Sequence, residues 1–584
     1  MENTVKRSRL PVNAAEIIGW VCAGLVGVLV IGTALYSLLT MTNASDMVSA
    51  LFGRPGSTGF LNLLNRFLSD EVFLRALSTT VTDLLVIGVG GFALSLLIAL
   101  ALDRLPKVVR YVALVLLMTP LLCPGTVNTV MQLFRGDQSG MVNHLLMQSG
   151  MTTEPIIFLY HPAWFPHIVR GIQLLRSIGP GVLLISAGLQ SVRDAACLEG
   201  RQRGVRSRLA LFWLVTLPRM RIPLMLSAAV MLMGAIGTSA VSWKVLGFIS
   251  SASGAYNLYQ MLCEFLVYRD QYEYAACALA VLVLLTLVFM AVMCLLIWLV
   301  TLRPARRKLT KAPAPETLGA ELPRKGGWRV VSMILSVTVV LLPCVVLLFM
   351  LLWEFGRSLM SMEDWYSFPP RILPRNPTLS WFADLDVVMA DWGYLGVNLL
   401  RSLLYVLLPG LLLLGIAGFA GYGCSRRQVG WARLLMTAVA LLVLLASVPI
   451  AASYLWDESE RTLLYFREAR HWLLWGLLLT AIPLGYSVGE MLRRNKPVKR
   501  LLWAAAAAVT LLLMLCWRGV MGGMLAYFSG SSPGSSIGFI ATIAAYGAFV
   551  DLVSLLLSIP FVIGAFQLLL GTPDTRPLYR GGNE

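Results

Sequence analysis

The chain has 584 residues, 58% of them apolar, and a formal net charge of +17, with a mean hydropathy of +0.76. Repeated apolar runs of about 20 residues exclude a soluble globular core and read as an all-α polytopic membrane protein, with the lipid bilayer as its first partner. The positive charge does not point to nucleic acid, because Lys and Arg lie in short clusters between apolar runs, where the positive-inside rule puts them.

The first apolar run begins near Ala14, behind Lys6, Arg7 and Arg9. It is too long for a signal-peptide core and has no clear cleavage site, so it reads as a retained first span. Hydropathy predicts spans at 14–40, 79–102, 111–134, 168–190, 221–246 and 273–302, then at 330–355, 398–424, 434–455, 472–490, 501–524 and 538–571. Basic clusters at 104–110, 193–221, 303–311, 426–433 and 493–500 fall on the side shared with the N-terminus. About 12 transmembrane helices with both termini cytoplasmic follow. Residues 303–329 are basic and rich in proline (Pro304, Pro313, Pro315, Pro323) and predict an extended cytoplasmic linker. The linker separates a six-helix half at 1–302 from a second at 330–584. Residues 88–102, ahead of Asp103-Arg104, echo residues 411–424, ahead of Ser425-Arg426, as a weak parallel repeat would.

In the third span, Pro120 and Pro124 break the helical hydrogen-bond ladder at membrane depth, which is tolerated where the backbone is buried in protein or lines a water-filled path. Ionisable residues within spans are Asp83, Arg170, Arg176, Arg401, Arg518 and Asp551. Asp83, Arg170 and Arg401 lie near span ends, where snorkelling accounts for them. Asp551 lies well inside the last span, with Tyr546 on a similar face. A carboxylate beside an aromatic suits a polar solute on a pathway, and an interhelical pair with Arg518 suits the same residue equally. Pro120, Pro124, Tyr546 and Asp551 are therefore the candidate pathway residues.

The loop at 190–218 interrupts the apolar pattern. Ser191 and Asp194 stand at the Ser-x-x-acid spacing of a helix start, Ala195 and Ala196 follow, and Gly200 is a natural stop. The spacing predicts a helix of about two turns lying across the membrane surface, its small face open to a partner and its register set by Arg193, Asp194 and Glu199. An ordinary basic loop is the other reading of these residues. Asp194-Ala195-Ala196, Gly200 and Val215-Thr216-Leu217-Pro218 resemble the Glu-Ala-Ala, Gly and Ile/Val-x-Leu-Pro of the coupling loop of ABC importer permeases, with Asp for Glu and a longer stretch from Gly200 to Pro218. Pro120 through Gly140-Met-Val-Asn143, Ala187-Gly-Leu-Gln-Ser191, Tyr256-Asn-Leu-Tyr-Gln and Tyr272-Glu-Tyr-Ala-Ala resemble the carbohydrate-uptake, maltose-type class. In the second half, Asn376-Pro-Thr-Leu-Ser-Trp and Ala417-Gly-Phe-Ala-Gly-Tyr resemble the opening of its partner subunit. The resemblance implies two fused permease halves, a coupling site at Asp194, Ala195, Ala196, Glu199, Gly200, Leu217 and Pro218, separate ABC ATPase subunits, an extracytoplasmic solute-binding protein, a small-molecule solute and a place in the plasma (inner) membrane.

The loop at 491–500 in the second half has no acid-Ala-Ala, Gly or Leu-Pro, so one coupling motif is degenerate. No P-loop occurs, which leaves ATP to a partner subunit and assigns no cofactor to this chain. No catalytic or metal-ligating constellation stands out, and His161 and His167 read as outer-loop residues. The alternative is a twelve-span secondary transporter of the major-facilitator type, suggested by span count and Asp103-Arg104, although Leu105-Pro106-Lys107 lacks the glycines which that family carries there.

Overall fold

The computed structural model describes residues 60–123, 125–136, 140–202, 208–238, 254–267, 272–305, 326–365, 371–380, 407–426, 502–517 and 537–569, with single gaps inside some stretches and isolated positions elsewhere. The predicted span at 434–455, most of those at 14–40 and 472–490, most of the predicted linker at 303–329, and the loop at 491–500 lie outside the described residues.

All regular structure among the described residues is helical. Helix α1 (Phe60–Leu68) leads through a short turn into α2 (Glu71–Leu102). Asp70 caps α2 by accepting from the Val72 amide at 2.9 Å, and Glu71 places a negative charge at the positive end of the helix dipole. Residues Leu84–Gly90 within α2 form a π-helical segment. At the other end, Arg110 gathers the turn after the helix, donating to the Leu102, Asp103 and Leu105 carbonyls at 3.1–3.2 Å. Helix α3 (Lys107–Leu122) stops at Cys123, whose backbone is extended (φ −111°, ψ 103°) as the residue before a proline prefers. Helix α4 (Gly125–Leu133) follows. The predicted third span is thus two helices with a break, because Pro124 supplies no amide and constrains its predecessor.

Helix α5 (Met141–Gln148) packs through Asn143, which holds the Arg135 and Ile156 backbone at 2.9–3.0 Å. His161 Nδ1 accepts from the Ala163 amide at 3.2 Å in the turn before the next helix. Helix α6 (Phe165–Gln202) is followed by α7 (Phe212–Arg219) and α8 (Arg221–Ile236), which meet at an angle of 67°. Next come α9 (Leu258–Val267), α10 (Tyr272–Ala305), α11 (Gly326–Ser358), α12 (Met362–Trp365), α13 (Leu408–Arg426), α14 (Ala505–Met514) and α15 (Ile537–Leu569). Five described helices are long and apolar enough to cross a membrane, and the bent α7–α8 pair makes a sixth if it is one span.

Helix α6 is the axis of the bundle. Its apolar window is 83% buried, against 28% for α10 and α11, and it packs on α2, α3, α8 and α15. Gly179 lets α6 and α3 approach closely, since a Cβ there would lie 2.3 Å from the Leu117 carbonyl oxygen. From beyond the linker, α11 packs on α2, α3 and α4, and α15 packs on α3, α4 and α6. Arg104 donates to Ser332 and Ser336 of α11 at the basic end of the bundle, and Arg357 of α11 donates to Gln132 Oε1 at 2.9 Å near the other end. Past α11, Asp364 accepts from the Arg375 and Asn376 amides at 2.9 and 3.3 Å and pairs with Arg371, while the Thr378 amide donates to the Leu359 carbonyl. Burial works against this carboxylate, but the Asn376 and Arg375 amides and the Arg371 guanidinium outweigh it and hold it below the usual range. The Asn376-Pro-Thr stretch singled out in the sequence is thereby tied to the end of α11.

Candidate functional site: the end of helix α6 and the seam with helix α15

The loop expected to begin a separate helix at Ser191 and end it at Gly200 does neither. Helix α6 runs through both positions to Gln202. Ser191 Oγ donates back to the Gly188 carbonyl at 2.8 Å, so it is spent within the helix instead of capping a new one. Gly200 is within the helix, and Leu211 packs so closely on it that a Cβ would come within 2.1 Å of Leu211 Cδ1. Glu199 pairs with Arg219, their side chains 8% and 7% exposed. Ala196 is buried, as are Val215, Leu217 and Pro218. The end of α6 and the 208–219 stretch therefore form one hairpin, closed by an apolar contact and an ion pair. It joins the bundle through Leu189, Leu217 and Met220, which belong to the larger apolar core, and through Gln190 Nε2 donating to Asp103 Oδ1 at 2.8 Å.

This geometry divides the predicted coupling residues. Ala196, Glu199, Gly200, Leu217 and Pro218 come together and face the chain itself, which corrects the expectation that Ala196 offers a small surface to a partner. The helix around Asp194 and Ala195 is described, and their side chains lie outside the described residues. Arg193 and Trp213 are exposed.

Of the predicted pathway residues, Pro120 and Asp551 are described, and they lie on neighbouring helices. Helices α3 and α15 run antiparallel: Gln567 Nε2 donates to the Tyr111 hydroxyl at 2.6 Å, with the Phe566 ring edge-on to Tyr111 at 5.5 Å, and further along Cys123 Sγ lies 3.7 Å from the Asp551 carbonyl. Pro120 is buried in the last turn of α3, and Asp551 is buried on α15 with its backbone carbonyl near Cys123 at the α3 break. Trp517 Nε1 donates to the Val550 carbonyl at 3.2 Å. Pro124, the Tyr546 side chain and Arg518 lie outside the described residues. Sequence reasoning missed Ser554 and Ser558, both buried, which continue the Asp551 face at the i, i+3, i+7 spacing. That polar stripe in an apolar helix was a readable signal.

A second correction concerns Asp83 and Arg170. Asp83 is buried and pairs with the half-buried Arg170 (Asp83 Oδ1 to Arg170 Nε, 2.7 Å), so the two are spent on each other and do not snorkel to an interface. Thr238 Oγ1 donates to Asp83 Oδ2 at 2.9 Å, and Asn257 Nδ2 approaches both Asp83 and Thr238. Arg401 lies outside the described residues.

No known protein family and no curated protein matches the chain by sequence. Two solved structures are similar over about half of it. One is a bacterial ABC transporter involved in the import of the acidic polysaccharide alginate, with 19% identity over 47% of this chain and 95% of that one, at a TM-score of 0.38. The other is a bacterial alginate ABC transporter in complex with an alginate pentasaccharide-bound periplasmic protein, with 19% identity over 48% and 94%, at a TM-score of 0.35.

Proposed function

We propose that this chain is the permease of a binding-protein-dependent ABC importer, with two six-helix halves fused, about twelve spans and both ends cytoplasmic in the plasma membrane. The observation that carries the reading is the hairpin at the basic end of α6, in which the acid-Ala-Ala-x-x-x-Gly and Leu-Pro segments of the sequence fold onto each other. In the ABC importer permeases this sequence resembles, such a segment docks on an ATPase subunit. Here it is continuous with the most buried helix of the bundle. At about 1.5 Å per residue, α6 is a rod of roughly 57 Å that links the hairpin to the packing against α2, α3, α8 and α15. Movement forced on the hairpin by nucleotide binding is then passed directly to the seam where α15 meets the break after α3.

The seam supplies hydrogen-bonding groups at membrane depth, as a polyhydroxylated solute such as a sugar or oligosaccharide requires, and the solute arrives from an extracytoplasmic binding protein. Proteoliposomes holding the chain with its ATPase subunits should take up a labelled oligosaccharide mixture, in the presence of the binding protein, only with hydrolysable ATP and regardless of protonophore. Uptake that needs no ATP and stops with protonophore would assign the chain to the secondary transporters instead.

A further inference from the structure

The bundle has two apolar cores, and a polar clasp lies between them. The smaller core joins Phe67 of α1, Phe73 of α2, Phe265 of α9 and Cys277 of α10, with the Phe67 ring 4.8 Å from those of Phe73 (tilted) and Tyr274 (edge-on). The larger core starts one residue past Asp83, at Leu84 and Ile87. Between them, Asp83 of α2 is bound to Arg170 of α6, to Thr238 after α8 and to Asn257 before α9. Asn257 Oδ1 in turn accepts from the Gln260 amide at 3.0 Å, and Thr80 Oγ1 accepts from the Leu258 amide at 2.9 Å. The Tyr256-Asn-Leu-Tyr-Gln stretch, noticed in the sequence without a role, is thus fastened to α2. The cavity beside Thr80, Asp83, Asn257 and Tyr259 measures ≈ 10 Å³, room for about one water and too small for a solute. The polar groups here therefore serve each other. Immediately after Asp83, α2 changes to π-helix over Leu84–Gly90, a local departure that bends helices and recurs at functional sites.

We infer that the Asp83–Arg170 pair is a latch that holds the smaller core, as a cap, on the end of the first half away from the basic clusters, and that α2 bends at Leu84–Gly90 when the latch parts. Both states are satisfied. Closed, the charges neutralise each other among four helices. Open, each is hydrated, and an exposed pair is worth little, so the latch has two stable settings instead of a continuous range. The arrangement goes beyond the permease reading and does not depend on what drives transport.

Cys277 reports the state of the cap, because it is buried in the smaller core, while Cys294 sits further along α10 against the larger one. The full chain in lipid nanodiscs is treated with N-ethylmaleimide, and labelling of each cysteine is followed by mass spectrometry. The native chain should label slowly at Cys277. Asp83→Asn should speed labelling there at least tenfold and leave Cys294 unchanged, and the double exchange Asp83→Arg with Arg170→Asp should return it to within about threefold of native. Thr238→Val, which removes the hydroxyl that donates to Asp83 and accepts from Asn257 but removes no charge, should give a severalfold rise and serves also if Asp83→Asn does not insert. Unchanged Cys277 labelling in Asp83→Asn or Thr238→Val, equal acceleration at both cysteines, or no rescue by the double exchange would each overturn the latch. No ATP or transport enters these readings.

Discussion

Glu199 and Arg219 show how a single ion pair constrains the account of the hairpin. Removing one partner of a buried pair leaves the other charge without compensation, which typically costs about 3–5 kcal/mol. Glu199→Gln should therefore lower the thermal midpoint of the detergent-solubilised chain by several degrees. A midpoint within one degree of native would show the pair to be incidental. Ala196→Glu belongs to the same scale. With Ala196 only 1% exposed, the glutamate meets the chain itself, so the expected outcome is loss of folded protein on size-exclusion chromatography and not a folded, uncoupled transporter. Asp364 carries a pH dependence. Its carboxyl is held below the usual value near 3.9, so its stabilising contribution is complete above that pH and is lost as pH falls through the lower, native value. Relative to intrinsic rates, hydrogen exchange at the Arg375 and Asn376 amides should quicken over that acid window, and in Asp364→Asn it should already be fast at neutral pH. Protection that survives in Asp364→Asn would contradict this.

At the scale of the elements, the long apolar helices and the interruption after Leu122 were legible because hydropathy and missing amides act locally, whereas Pro120 stays within α3. The end of α6 was not legible. A Ser-x-x-acid spacing signals a helix start only where the preceding residue leaves the helical region, and here the helix runs on, with Leu211 and Arg219, distant in sequence, against Gly200 and Glu199. Asp83 was read correctly as lying inside a span and wrongly as reaching for water, since its partner Arg170 is 87 residues away and sequence depth does not name partners. Close approach of helices was equally hidden. At Gly421 of α13, a Cβ would stand 2.0 Å from the Ile482 carbonyl oxygen, which is backbone and cannot rotate aside. Gly421→Leu should part α13 from the 482–486 segment and cut folded yield severalfold, whereas Phe419→Leu, on the exposed side, should leave it unchanged. Equal yields for both would show that the close approach of Gly421 to Ile482 does not hold the fold together.

For the molecule as a whole, α11 and α15 pack against helices that precede residue 302, so the seam is shared between the two proposed halves, while the motif that resembles a coupling loop lies in the proposed first half alone. A contact contributes to coupling only if it differs between the states it connects. Asp194→Lys should accordingly reduce uptake much more than alanine substitutions across residues 493–500, and equal losses would show that both loops couple. The most direct test of the permease reading is affinity purification of the full chain from its native membrane, with the co-purifying proteins quantified by mass spectrometry. An ABC ATPase subunit should be recovered in near-stoichiometric amount with the native chain and should be depleted at least fivefold with Asp194→Lys, while the chain itself elutes unchanged. Recovery of the chain with no ATPase subunit, or undiminished recovery with Asp194→Lys, would contradict it.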